Sequence, residues 1–267
     1  MTQTIICFDL DGTLLDSSGS IHPRDIEILR NPAPACLIPT TGRPLHAVKR
    51  LFARHGLFSG APLPFPLVLH NGALLYLPGE KLLAHLAFQS AERDGLVRLA
   101  RERPRVTFLF LDLESVRVMW PRPFAERAAA SYDFTVEPLG EGEPARMFSK
   151  LMCLSETPAD LEEISRATEG MLVERAYSMT TILEFTPPGA DKGKGLRALQ
   201  AALGLQESPV YAAGDGGNDL PLFAAALRSF APISSPTAVR AAASQLVDVR
   251  QAGLLTSILT AAGVNIL

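Results

Sequence analysis

The chain has 267 residues, 47% of them apolar and 20% charged. That excludes a disordered chain and leaves room for one large packed domain or two modest ones. A net charge of −3 gives no general attraction to nucleic acid or to an anionic membrane.

In chain order, Thr4-Ile5-Ile6-Cys7-Phe8 is a short apolar run rich in β-branched residues, as in a central strand covered on both faces. It ends in Asp9-Leu10-Asp11-Gly12. Ser17 to Ser20 is a polar loop, and His22 to Arg30 is a short helix with Pro23 in its first turn. Ala35 to Thr40 is a second buried strand ending in Thr41-Gly42-Arg43-Pro44, followed by a helix from Pro44 to His55. Leu67 to His70 is a third strand, ending in Asn71-Gly72. This β-α-β-α-β order, with glycine and polar residues at the strand ends, predicts a doubly wound parallel sheet with its site at those ends.

From Ala73 the texture changes. A hairpin (Leu74–Leu77, Leu82–Leu86), a helix Gln89–Arg103 and paired strands Val106–Leu111 and Val116–Trp120 are expected. A helix Phe124–Tyr132, a strand Phe148–Leu154, a helix Pro158–Thr168 and strands Leu172–Arg175 and Thr180–Thr186 follow. Short turns between strands suggest an α+β unit on an antiparallel sheet, with Gly140 to Pro144 as its most flexible loop. The β-α rhythm then returns. Asp191 caps a helix to Leu203, and the strand Pro209–Ala213 ends in Gly214-Asp215-Gly216-Gly217-Asn218-Asp219. A helix Asn218–Leu227, a strand Phe230–Ile233, a helix Pro236–Gln245, a strand Leu246–Val249 and a last helix complete the sheet. The expected organisation is an α/β core of residues 1–82 and 187–267, interrupted by an inserted α+β unit of residues 83–186.

Cys7, Cys36 and Cys153 sit in apolar runs without metal-ligand spacing and read as buried free thiols of a reducing compartment. No apolar run reaches the ~18 residues of a membrane span, and the N-terminus has no leader pattern. A cytoplasmic protein with neither nucleic-acid nor membrane partners is the expectation.

Two carboxylates at the mouth of an apolar strand, Asp9 and Asp11, are costly unless a cation or a reaction needs them. Mg²⁺ takes one or two carboxylates with water and phosphate oxygens. The alternative is a solvated Asp-Gly turn. Thr41 and Gly42 offer a hydroxyl and an amide before a helix, suited to a phosphate oxygen or to a simple cap. Gly189-Ala190-Asp191-Lys192-Gly193-Lys194-Gly195 is not a P-loop, because Gly195 stands where Ser or Thr is needed. No Gly-x-Gly-x-x-Gly follows the first strand, which argues against a dinucleotide-binding oxidoreductase. The Asp215–Asp219 stretch lacks the ligand positions of a calcium loop.

Phe8-Asp9-Leu10-Asp11-Gly12-Thr13-Leu14 resembles the first motif of the haloacid dehalogenase superfamily, most of whose members are phosphatases. Thr41-Gly42, Lys192-Gly193 and Gly214-Asp215-Gly216-Gly217-Asn218-Asp219 resemble its second, third and fourth motifs, in the family's order. The resemblance implies that Asp9 is the nucleophile and Asp11 the general acid/base, with the Asp11 backbone carbonyl on the metal. It implies that Asp215 ligates Mg²⁺, and that Asp219 binds it through water or orients the site. Lys192, with Lys194 as runner-up, would stabilise transferring charge. Asn218 would touch a phosphate oxygen or a ligand water. Arg43 and Asn71 are candidate substrate contacts.

The insert between the second and third motifs resembles the large cap of the Cof-type phosphatases. The function implied is Mg²⁺-dependent hydrolysis of a small phosphorylated metabolite through an aspartyl-phosphate. A phosphomutase and a non-catalytic phospho-ligand-binding protein are the alternatives. Trp120, Arg122, Lys150, Tyr177 and Glu184 are cap residues able to read a ligand, or simply structural.

Overall fold

The computed structural model describes residues 3–32, 35–139 and 147–264. The expected loop Gly140 to Pro144 lies outside the described residues. The first half of the core comprises β1 (Ile5–Phe8), α1 (Pro23–Arg30), β2 (Cys36–Pro39), α2 (Leu45–Arg54), β3 (Leu67–Leu69), β4 (Leu74–Leu77) and β5 (Lys81–His85). Next come α3 (Ser90–Arg101), β6 (Thr107–Leu111), β7 (Val116–Met119), α4 (Pro123–Ser131), β8 (Val136–Pro138), β9 (Lys150–Leu154), α5 (Pro158–Ala167), β10 (Glu174–Met179) and β11 (Ile182–Thr186). The chain continues with α6 (Lys192–Leu203), β12 (Val210–Ala213), α7 (Leu220–Ala224), β13 (Arg228–Pro232), α8 (Thr237–Ala242), β14 (Gln245–Val247), α9 (Val249–Ala252) and α10 (Leu254–Ala261).

The core sheet runs β14-β13-β12-β1-β2, parallel throughout. Every residue of β1 is buried, and apolar clusters cover both faces. Ile6 and Phe8 pack on one side with Leu51, Phe52 and Ile258, while Ile5 and Cys7 pack on the other with Leu196, Leu199 and Leu222. This two-sided burial is why the strand reads as an unbroken apolar run rather than an alternating one. The strand order reverses beside β1, so the carboxyl ends of β1, β2 and β12 open a crevice there.

The inserted unit is a six-stranded sheet, β10-β11-β9-β6-β7-β8, mainly antiparallel. Its own apolar cluster joins Leu96 and Ala100 of α3 to Phe110, Leu151, Leu161 and Phe185. The α/β class with an added α+β sheet is the expected one.

Several elements differ from expectation. β3 does not extend the parallel sheet as a full strand: it joins β4 and β5 in a three-stranded antiparallel sheet and meets β2 only through the Thr40–Val68 bridge. The strand expected at Leu172–Arg175 lies at Glu174–Met179, an edge strand whose alternate residues face solvent. β8 was not expected, since Val136-Glu137-Pro138 carries an acid and a proline, residues of a short edge strand. The helix expected at Asn218–Leu227 is a single tight turn, Gly217–Asp219, followed by α7 with Pro221 in its first turn.

Candidate active site

Asp9 is the first residue beyond β1. Its N–H donates to the Ala213 carbonyl at 3.0 Å, which stitches the ends of β1 and β12 together. The chain then closes one wide turn over Leu10–Leu14, with Gly12 at φ +73°. A side chain at Gly12 would be strained by that φ, and its Cβ would lie 2.4 Å from Asp215 Oδ2. The glycine therefore lets the β1 and β12 loops approach closely enough to face Asp9 and Asp215 into one site. Thr13, fully buried, donates from Oγ1 to Asp215 Oδ1 at 3.1 Å. Its role in holding Asp215 was not singled out from the sequence, although it sits within the first motif.

Lys192, at the start of α6, is fully buried and donates to Asp9 Oδ1 at 2.7 Å and Asp219 Oδ1 at 2.5 Å. Asp219 Oδ2 accepts from the N–H groups of Asp215 and Gly216, both at 2.9 Å. Both Asp219 oxygens thus meet protein donors, which gives this residue the geometry of an orienting group for the Asp215 loop and for Lys192. Lys194 instead lies half exposed against Glu174 and Asp191.

Asp9, Asp215 and Asp219 each present an oxygen within 4.8 Å of the others. The Lys192 ammonium bonds two of these three carboxylates, those of Asp9 and Asp219. Burial, opposed by Lys192 and reinforced by Asp219, Asp215 and Asp11, pushes the Asp9 carboxyl well above its ordinary range. Burial and Asp219 likewise raise Asp215 to about 6. Burial disfavours the Lys192 ammonium, but Asp219 and Asp9 outweigh it and the net direction is up. Hard oxygen donors with excess negative charge fit a divalent cation such as Mg²⁺.

The Asp11 carboxylate points elsewhere. Arg43 grips it with two bonds, Nε to Oδ2 at 2.7 Å and Nη2 to Oδ1 at 2.6 Å. The same guanidinium donates to the Tyr132 carbonyl at 2.7 Å and to Asp133 Oδ2 at 3.2 Å, just beyond α4 of the inserted unit. Arg50 and Arg54 of α2 also bond Asp133 and Thr135. Arg43, a candidate substrate contact from sequence, is thus engaged by protein acceptors and ties Asp11 to the cap.

Asn71 is likewise engaged: Nδ2 donates to Glu184 Oε2 at 2.6 Å, and Oδ1 accepts from Asn218 Nδ2 at 3.3 Å. His70, Asn71 and Gly72 all have positive φ, a strained run that aims Asn71 between β11 and the Asp219 turn. Thr41, buried at the end of β2, accepts the Arg43 N–H on Oγ1 at 3.3 Å. Gly42 accepts from Lys150 Nζ at 3.1 Å, and a Cβ on Gly42 would lie 2.4 Å from that nitrogen.

These residues enclose one cavity. Asp9, Asp11, Thr41, Gly42, Asp215 and Asn218 form its floor, and Tyr132, Phe134, Lys150, Met152, Ser178 and Glu184 form its roof. Lys192 lies beneath, reaching the cavity through Asp9. Of the cap candidates, Lys150 and Glu184 line the cavity. Trp120 donates to the Ala100 carbonyl and Arg122 to the Pro104 carbonyl, both inside the cap, while Tyr177 is partly exposed and donates from its hydroxyl to the Leu161 carbonyl. Tyr132, Phe134 and Ser178 carry no motif signal, because they come from two separate segments, the stretch after α4 and β10, that only the fold brings together.

A family model described as haloacid dehalogenase-like hydrolase matches residues 6–255. The chain is 24% identical over 261 residues to the 5-amino-6-(5-phospho-D-ribitylamino)uracil phosphatase YwtE of Bacillus subtilis, covering 82% of this chain and 83% of that one. It is 27% identical over 248 residues to a phosphoglycolate phosphatase of Halorubrum lacusprofundi, covering 91% and 89%. Its fold matches that of the HAD subclass IIB sugar phosphatase BT4131 with a TM-score of 0.81 at 20% identity, over 98% and 99% of the two chains. TM0651 of Thermotoga maritima matches with a TM-score of 0.78 at 21% identity, over 97% of each.

Proposed function

The chain belongs to the haloacid dehalogenase-like hydrolases and is a phosphatase, and from that premise we propose that it hydrolyses small phosphate monoesters with Mg²⁺ through an aspartyl-phosphate on Asp9. The observation that carries this reading is the buried Asp9 carboxylate, fixed by Lys192 and grouped with Asp215 and Asp219 at the floor of a capped cavity.

Asp9 attacks phosphorus with a carboxylate oxygen as the ester P–O bond breaks. Asp11 is assigned the proton delivered to the leaving oxygen; both its oxygens accept from Arg43 in this structure, so a protonated Asp11 gives up one of those two bonds and keeps the other. In the second half, Asp11 takes a proton from the water that attacks the acyl phosphate, which regenerates Asp9 and releases phosphate. Lys192, charged and buried, faces the developing negative charge in a site of low dielectric. Thr41 and the Gly42 loop offer donors to phosphoryl oxygens. Arg43 orients Asp11, and Asp219 orients Lys192 and the Asp215 loop. Asp9 and Asp215 would hold Mg²⁺, which when bound neutralises charge on the nucleophile and the phosphoryl group. The cap closes over this floor and excludes water.

Phosphate release from an aryl phosphate, measured with Mg²⁺ and with chelator for wild type and Asp9→Asn, tests the reading. Activity that needs both the metal and Asp9 supports it. An Asp9→Asn enzyme with full activity refutes it.

A further inference from the structure

The roof of the cavity has an unusual charge balance. Lys150 is 1% exposed, and its Nζ lies 2.8 Å from Glu184 Oε1 and 3.1 Å from the Gly42 carbonyl. Arg43, the other cation lining the cavity among the described residues, is held by Asp11 and Asp133. Both cations are therefore neutralised from within, and among the described residues lining the cavity no unpaired positive charge faces the leaving group. Asp9, Asp11, Asp215 and Glu184 line the same space as acids.

Ser178 stands out in this wall. Its Oγ is buried without a hydrogen-bond partner, and the residue lines the cavity. Buried hydroxyls without partners are rare, and each asks for a reason. Met152, Met179 and the Tyr132 and Phe134 rings, stacked with centroids 5.5 Å apart, give the same cavity its apolar lining.

We propose that this roof selects an uncharged, hydroxyl-bearing leaving group, read by Ser178 and the Lys150–Glu184 pair, and rejects leaving groups that carry a carboxylate or a second phosphate. The inference rests on the phosphatase reading above. A hydroxyl is both donor and acceptor, so it can accept from the remaining Lys150 N–H, donate to Glu184 or satisfy Ser178 without breaking the ion pair. A carboxylate has acceptors only. It must compete with Glu184 for Lys150, and one of the two acids is then left unpaired away from water.

Glycerol 3-phosphate and 3-phosphoglycerate form a matched pair, one with a neutral diol leaving group and one with a carboxylate. Phenyl phosphate serves as the reference without a hydroxyl on its leaving group. For wild type, kcat/KM is expected to favour glycerol 3-phosphate over 3-phosphoglycerate by about 100-fold or more. Ser178→Ala is expected to lower the ratio of glycerol 3-phosphate to phenyl phosphate activity by about five- to tenfold. Glu184→Gln frees Lys150 and is expected to raise the ratio of 3-phosphoglycerate to glycerol 3-phosphate activity by about tenfold or more.

Equal wild-type activity on the matched pair, with phenyl phosphate hydrolysed, would overturn this inference alone. An unchanged ratio in Ser178→Ala would overturn it as well, and that variant carries the test should Glu184→Gln fail to fold. Absence of hydrolysis for all three esters would overturn the phosphatase reading and this inference with it.

Discussion

Replacing Lys192 by methionine removes the one ammonium shared by Asp9 and Asp219 while keeping an apolar stem of similar bulk. Lys192 is fully buried, and its two partners are 9% and 1% exposed at the side chain. Water therefore cannot replace the lost charge. Breaking a buried ion pair by removing one partner costs about 3–5 kcal/mol. For a chain of this size that lowers the thermal midpoint by about 10 °C. The cost depends on pH with a defined sign. Asp9 already has its carboxyl pushed well up by burial and by neighbouring acids, and without Lys192 it rises further. A raised carboxyl in the folded state contributes stability at low pH that is lost as pH rises. The deficit of Lys192→Met relative to wild type is thus larger at pH 7.5 than at pH 5.5. Thermal melts of both proteins in chelator at the two pH values measure it. A variant as stable as wild type at pH 7.5, with no pH-dependent difference, would refute the reasoning.

Arg43→Lys cannot reproduce the two-bond grip on Asp11 together with the bonds to Tyr132 and Asp133. Steady-state kinetics should show kcat down by about 10- to 100-fold, and an unchanged kcat would contradict a positioning role. Gly12→Ala meets both a positive φ and Asp215 Oδ2. Calorimetric titration with Mg²⁺ should show affinity lost by at least about tenfold, whereas wild-type affinity would show that the loop accommodates a methyl group. His70 is fully buried, bonded through Nδ1 to Ser149, and burial followed by Lys150, His85 and His46 depress its basicity well below the ordinary value. A depressed imidazole gives stability that is complete above about pH 6.5 and lost as pH falls. His70→Asn, which tolerates the positive φ of that position, should reduce the acid-side fall of the thermal midpoint; an identical pH profile would contradict this.

The core was legible because its strands are buried on both faces and end in the residues that face the crevice. Asp9, Thr41 and Asp215 each follow a run that admits little but a strand. Lys192 was placed by its neighbours, a cap at Asp191 and apolar residues at helical spacing. The polar network was less legible. Nothing local to Arg43 shows that it turns toward Asp11 and the cap, since that depends on a carbonyl 89 residues away. Lys150, Ser178 and Glu184 lie on three strands whose registers bring them together, and no single stretch carries their juxtaposition. The shift of β10 has the same origin. Leu172 and Val173 have the side chains of a strand, but the ladder with β11 begins at Glu174.

The covalent intermediate is the central claim. Asp11→Asn keeps Asp9 but cannot deprotonate the attacking water, so the acyl phosphate should accumulate. Brief reaction of this variant with an aryl phosphate, whose leaving group needs little protonation, is followed by acid quench and peptide mass mapping. A hydroxylamine-labile phosphoryl group is expected on the peptide containing Asp9, absent in the Asp9→Asn, Asp11→Asn double variant. A phosphoryl group on another residue, or turnover with no covalent label at any time point, would contradict the claim.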